Sequence, residues 1–229
     1  MEAEQNDTML TRRGLLKKTF RTLLAALAGN FTILWNRGRR VSKAWAEARR
    51  LLPRGFARNK IANMNPAEID NRNLEIDPLD QFGMMGPTEV RVDLASWRLK
   101  VTGQVNLPLS LSYDEVLKLP SIKEDVLLIC PGFFSNNGHW IGVHVKEIVR
   151  AAQPTKKAAF IHIKGYEKEL RIPLQDIYQK EIFLAYQVNG APLPQKHGFP
   201  LRLVYADVYG ADWIKYVSEI AVAPIPKPT

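Results

Sequence analysis

From Trp97 onward the apolar positions fall in short, separated runs, and the spacing within each run predicts its element. The stretch "WRLKVTGQV" alternates apolar and polar residues with period two, as a half-buried strand does. "SYDEVLKLP" opens with Ser112 and has Glu115 three residues later, a capping box for a short helix that Pro120 ends. "DVLLIC" is a continuous apolar run and predicts a buried strand with Cys130 at its edge. The Pro, Gly, Ser and Asn that follow in "PGFFSNNG" read as a loop that exposes the sulfur. "GVHVKEIVRAA" puts Val145, Ile148 and Val149 on one helical face. "AAFIHIKG" and "EIFLAYQV" read as strands, the second followed by the turn dipeptide Asn189-Gly190. "PLRLVYAD" and "KYVSEIAVAP" supply two more strands. No internal repeat and no βαβ rhythm with a glycine fingerprint occurs, so the expected class is α+β, mainly β, and not a dinucleotide-binding fold.

The first quarter of the chain has a different pattern. Arg12 and Arg13 precede an apolar segment from Thr22 to Trp35, too short for the ~20 residues that span a bilayer. A basic region before a short apolar one is the pattern of an export signal, and the order Thr-Arg-Arg-Gly-Leu-Leu-Lys resembles a twin-arginine signal. Ala44-Trp45-Ala46 offers a small-x-small cleavage site. An uncleaved anchor, or a basic helix on a membrane surface, fits the same residues. Pro53 to Asn65 reads as a linker broken by Pro, Gly and Asn. The expected division is therefore a signal or anchor plus linker in 1–64 and one domain in 65–229.

Charge supports that division and narrows the partners. The chain of 229 residues has a formal net charge of +9. Residues 1–60 hold 14 Lys/Arg and 4 Asp/Glu, a net of +10, which leaves −1 for the remainder. The body thus has no excess of cations to neutralise phosphates, which argues against a nucleic-acid partner. Residues 1–60 are the part suited to contact with an anionic membrane surface.

The one cysteine, Cys130, excludes an internal disulfide, a Cys-rich zinc site and a cysteine-ligated iron–sulfur cluster. The four histidines form no H-x-x-x-H pair, which argues against a classical zinc hydrolase. Read alone, Cys130 fits three roles: a small buried hydrophobe, a nucleophile paired with His139 or His144, or a soft thiolate ligand for a redox-active metal.

Three ordered blocks then carry a resemblance: "WRLKVTGQVNLPLSLSYDEVLKLP", "VLLICPGFFSNNGHWIGVHVKEIV" and "LAYQVNGAPLPQKHGFPLRLVYADVYGADWIKYVSEI". They resemble the sulfite-oxidase-like molybdopterin oxidoreductases, a group that includes bacterial periplasmic methionine-sulfoxide reductase catalytic subunits. The resemblance implies a sulfite-oxidase-type molybdopterin-binding domain and a molybdenum–molybdopterin cofactor ligated by Cys130. It further implies cofactor contacts from His197 and Arg202 in "HGFPLR" and from Trp213, Ile214 and Lys215 in "YGADWIK". Asn71, Leu74 and Glu75 in "NRNLE" resemble the family's upstream cofactor-binding segment, and Gly165 is a further position of this kind. The implied activity is oxygen-atom or electron transfer in an exported, periplasmic protein, with electrons exchanged with a membrane haem protein or a cytochrome. Sulfite oxidases follow their cysteine with an arginine-rich loop, whereas this chain has Phe133 and Phe134 there. Apolar residues are a poor receptor for a dianion, so a neutral sulfoxide is the expected substrate. A Cys–His thiol hydrolase, and a cofactor-free binding protein that keeps the fold, stand as the alternatives.

Overall fold

The computed structural model describes residues 49–226. In chain order the strands are β1 (Arg50–Leu51), β2 (Ile69–Asp70), β3 (Leu99–Gly103), β4 (Leu109–Leu111), β5 (Ser121–Cys130), β6 (Phe134–His144), β7 (Ala158–Lys164), β8 (Glu169–Pro173), β9 (Ile182–Val188), β10 (Ala191–Pro192), β11 (Arg202–Tyr205) and β12 (Glu219–Pro224). The helices are α1 (Arg58–Ile61), α2 (Tyr113–Leu117), α3 (Val145–Ala151) and α4 (Leu174–Gln179). One sheet runs β10-β9-β6-β5 with β11 also on β9, and a second runs β4-β3-β12-β7-β8. Only β3 and β12 within them pair in parallel, so the fold is α+β, mainly β, without a doubly wound sheet.

Local rules account for the helices. Ser112 and Glu115 form the reciprocal capping box of α2, and Val145, Ile148 and Val149 turn the buried face of α3 to the core. Asn189 and Gly190 both take positive φ, 52° and 78°, and join β9 to β10.

β5 is apolar without interruption because it is buried on both faces. Val126 and Leu128 belong to the main core, while Leu127 and Ile129 join a second cluster with Leu52, Ile61, Ile69 and Leu74. That second cluster corrects the reading of Pro53–Asn65 as a linker. The segment contains α1 and places Ile61 fully inside, with Phe56 and Met64 packed around it. Burying Ile61 contributes about 1.5–3 kcal/mol, ample reason for a segment with Pro and Gly to fold onto the body.

The stretch after Cys130 also departs from expectation. The turn is only Pro131–Phe133, and Phe134–His144 is a long strand paired with β5 in a hairpin, Cys130 opposite Phe134. Ser135, Asn136 and Asn137 are buried there, and Cys130 is 7% exposed rather than open. Asparagine disfavours strands, but tertiary partners override the preference. Asn137 accepts from Asn71 Nδ2 at 2.8 Å and donates to the Leu74 carbonyl at 3.2 Å, while its backbone N–H donates to Asp77 at 2.7 Å. Ser135 Oγ donates to the Arg58 carbonyl and Asn136 Oδ1 accepts from the Gly83 N–H.

The twin-arginine-like and anchor readings and the Ala44-Trp45-Ala46 site lie outside the described residues. Among those described, no helix is long and apolar enough to cross a membrane.

Replacing Asn137 by Ala removes one acceptor and one donor from a buried network and strands their partners. The variant is expected to lose about 1–3 kcal/mol of stability, seen as a lower urea midpoint with unchanged slope; an unchanged midpoint would show that water replaces the side chain.

Candidate active site

Cys130 ends β5 on the strand face of Leu128, opposite the face that carries Leu127 and Ile129. The loop 209–212 passes close over it. A Cβ on Gly210 would lie 2.9 Å from Cys130 Sγ and 2.6 Å from Leu128 Cδ1, so only glycine permits this approach. Beside the thiol is a cavity of about 330 Å³, whose walls include Arg202, Trp213, Ile214 and Lys215.

Each of these side chains is held from a different direction. Arg202 opens β11 and is 5% exposed; its Nη1 donates to the His197 carbonyl at 3.0 Å. Its guanidinium lies 5.7 Å from the Trp213 ring centre and 5.9 Å from that of Trp140. Lys215 Nζ donates to the Pro87 carbonyl at 3.0 Å and the Lys196 carbonyl at 2.9 Å. Gly165 does not line the cavity but lets the Lys215 backbone pass, since a Cβ there would lie 2.1 Å from the Lys215 carbonyl oxygen. His197 is buried behind Arg202, its ring 5.9 Å from that of Phe82.

Burial dominates the electrostatics. It pushes Arg202 down to about 10, and burial with the Arg202 charge pushes Lys215 down to about 8. Burial, then Arg202, Lys196 and Lys215, lower His197 to about 4, so its imidazole is neutral at pH 7. Cys130 is raised by burial, an effect opposed by Arg202 and Lys215. The cluster thus holds two cations with no carboxylate between them. Arg202 Nε, Trp213 Nε1 and His197 Nε2 are buried without a hydrogen-bond partner. Each such vacancy costs about 1–3 kcal/mol and points to a group that completes it.

The donor set fits one kind of occupant. Among the described residues no cluster of three or more His, Cys, Asp or Glu could hold a metal. A metal at Cys130 would therefore bring most of its own ligands, and the two cations suit an anionic phosphate on the group that carries it.

Other expected residues lie elsewhere. Asn71, Leu74 and Glu75 sit across β5 from the thiol. Asn71 donates to the Asp125 carbonyl at 2.9 Å, Leu74 packs in the second cluster, and the Glu75 carbonyl accepts from Arg58 at 2.7 Å. The structure does not bring them to the Cys130 cavity, because alternate residues of a strand face opposite sides. His139 pairs with Asp125 at 2.7 Å, five positions from Cys130 along β5, or about 17 Å at the rise of a strand. His144 lies at the far end of β6, near Glu181. Neither histidine can serve Cys130 as a base, which removes the geometry that a thiol hydrolase needs.

Two parts of the wall escaped the sequence reading: Gly83–Pro87 and Tyr166–Lys168. Paired methionines between glycines, "GMMG", were the available signal for the first. The second is the turn between β7 and β8, where Lys168 Nζ donates to the Ala211 carbonyl. Together with Phe133 and Phe134, Met84 and Met85 give the cavity an apolar side.

Comparison with known proteins agrees with this arrangement. The family described as oxidoreductase molybdopterin binding domain matches residues 85–229. The chain is 31% identical over 128 residues to the uncharacterized oxidoreductase YuiH of Bacillus subtilis, covering 54% of this chain and 65% of that protein. It is 31% identical over 144 residues to the protein-methionine-sulfoxide reductase catalytic subunit MsrP of Xanthomonas campestris, covering 56% and 45%. The sulfane dehydrogenase SoxCD from Paracoccus pantotrophus shares the fold with a TM-score of 0.56 at 18% identity, over 64% of this chain and 46% of that one. The chain spans less than two thirds of each of these proteins.

Lys215→Met removes one of the two charges that favour the Cys130 thiolate, so the thiol titration should move to higher pH. With a single cysteine in the chain, thiolate absorbance reads this directly, and alkylation by iodoacetamide near neutral pH should slow several-fold. Faster alkylation would mean that Lys215 acts as a barrier rather than as a charge.

Proposed function

The chain belongs to the oxidoreductase molybdopterin-binding domain family, and from that premise we propose that it reduces a neutral sulfoxide at a molybdenum held by Cys130. The observation that carries this reading is one cavity that joins a thiol, the buried Arg202, the half-buried Lys215 and an apolar side of Met84, Met85, Phe133 and Phe134. When bound, the molybdenum–molybdopterin group supplies two-electron redox chemistry and oxygen exchange.

The chain's own residues bind and orient. Cys130 is the soft ligand, and ligation needs its deprotonated form, which Arg202 and Lys215 favour. Arg202 and Lys215 would hold the phosphate of the cofactor, whose charge relieves the repulsion between them. Trp213 and Ile214 would close the cavity around the pterin, with the neutral His197 behind Arg202 and Gly165 making room for the Lys215 backbone. Asn71, Leu74 and Glu75 are outside this set. The apolar side excludes water and offers a sulfite dianion no positive charge; the third lysine of the wall, Lys168, is engaged by the Ala211 carbonyl on the opposite loop.

The catalytic domain is assigned to residues 65–229, with 49–64 folded onto it. The basic residues 1–48, with Arg12 and Arg13, are read as a twin-arginine signal or anchor that places the domain in the periplasm. Electrons would come from a separate haem protein or cytochrome, as the family resemblance implies; the single cysteine leaves no site for a c-type haem or a cysteine-ligated iron–sulfur cluster in this chain.

Two measurements test the reading. Full-length protein expressed with cofactor supply should contain near-stoichiometric molybdenum, and with reduced viologen dye it should turn over sulfoxides and not oxidise sulfite. Brisk sulfite oxidation would overturn the substrate assignment, and absence of molybdenum would favour a cofactor-free binding protein. Cys130→Ser offers a harder and less acidic ligand. It should abolish turnover while circular dichroism stays unchanged; full turnover in that variant would make Cys130 structural.

A further inference from the structure

Met84 and Met85 are the exposed thioethers on the cavity wall, 45% and 49% exposed. They sit on a strap fixed at both ends. The Gly83 N–H donates to Asn136 Oδ1 at 2.9 Å, and the Pro87 carbonyl accepts from Lys215 Nζ at 3.0 Å and from Tyr216 Oη at 3.2 Å. The clamps hold the two residues at the cavity, and Gly86 between them takes φ +71°, a left-handed turn that glycine favours. Methionine is unbranched, so its sulfur can swing through several ångströms without backbone change. Exposed methionine is also the ordinary target of oxidation to a sulfoxide.

We propose that Met84 and Met85, once oxidised, are substrates in cis of the site they line. This inference rests on the sulfoxide-reducing reading above. The sulfur–oxygen bond of the side chain breaks, the sulfur returns to a thioether, and the oxygen leaves as water with two protons. The two electrons come from an external one-electron donor, the same that serves other substrates. Because the sulfoxide is tethered at the cavity, its effective concentration is on the order of millimolar. Against micromolar protein, reduction within one molecule outruns reduction between molecules by about a thousandfold. The strap then protects the cavity: a polar sulfoxide in the apolar wall would impede substrates until it is reduced.

Met64 provides an internal control. It is partly buried in the second cluster, across β5 from the cavity. Trypsin separates the two sites, Met64 on Ile61–Arg72 and Met84 with Met85 on Asn73–Arg91. Holoenzyme is treated with hydrogen peroxide, freed of it, and given reduced viologen without air, with dimethyl sulfoxide assayed in parallel. Mass spectrometry should show oxygen added to Asn73–Arg91 faster than to Ile61–Arg72, in cofactor-free protein as well. After reduction the oxygen should leave Asn73–Arg91 and stay on Ile61–Arg72, at a rate unaffected by serial dilution. Dimethyl sulfoxide reduction with the oxygen retained on Asn73–Arg91 overturns the inference and leaves the sulfoxide reading standing. Failure on both substrates overturns both. A rate that falls with dilution, equal repair of Met64, or resistance of Met84 and Met85 to peroxide also overturns it.

Discussion

Burial of β5 on both faces is the constraint on which the rest of the structure depends. The even positions of its inner half face the main core and the odd positions face the cluster built from Leu52, Ile61, Ile69 and Leu74. A slip of one residue would exchange every side chain between these faces and turn Cys130 away from its cavity. The register is therefore fixed twice, by apolar packing and by the polar side chains of β6, which bind the segment 58–83. That segment lies wholly outside the family match at 85–229, yet it forms one side of β5's environment and leads into the strap that lines the cavity.

The cavity itself is electrostatically incomplete. Arg202 and Lys215 stand together in a low-dielectric wall, and each makes its contacts with backbone carbonyls rather than with a carboxylate. Such an arrangement opposes the charge of both, as their lowered pKa values of about 10 and about 8 record. A phosphorylated ligand, as proposed, would reverse the sign of the interaction. The thiol benefits from the same two charges. In the proposed reading, one pair of cations would both anchor the cofactor and offset the burial that disfavours the Cys130 thiolate.

In the proposed reading, specificity would be set by the other side of the cavity. Phe133 is 73% exposed at the turn of the β5–β6 hairpin, an unusual position for so large an apolar surface. With Met84 and Met85 it offers apolar contact where a receptor for a dianion would place positive charge. The turn and the strap are far apart in sequence and are brought together at the start of β6, where the Phe134 ring packs on Gly83.

Much of this was legible in the sequence because it depends on local periodicity. The apolar run 126–130, the capping box at Ser112 and Glu115, the face of α3 and the Asn189-Gly190 turn are short-range patterns, and each formed the element it predicted. The blocks around Cys130, Arg202 and Lys215 also announced the family. What periodicity cannot carry is long-range satisfaction of polar groups. "SNN" after the turn has the composition of a loop, and only partners from 58–83 make it a buried strand. The same partners turn a Pro- and Gly-containing stretch into packed structure and draw Asn71, Leu74 and Glu75 to the far face of β5. The side of β5 on which a residue lies, and therefore whether it meets the thiol, is decided by pairing across about 50 to 80 positions of chain, which no local pattern encodes.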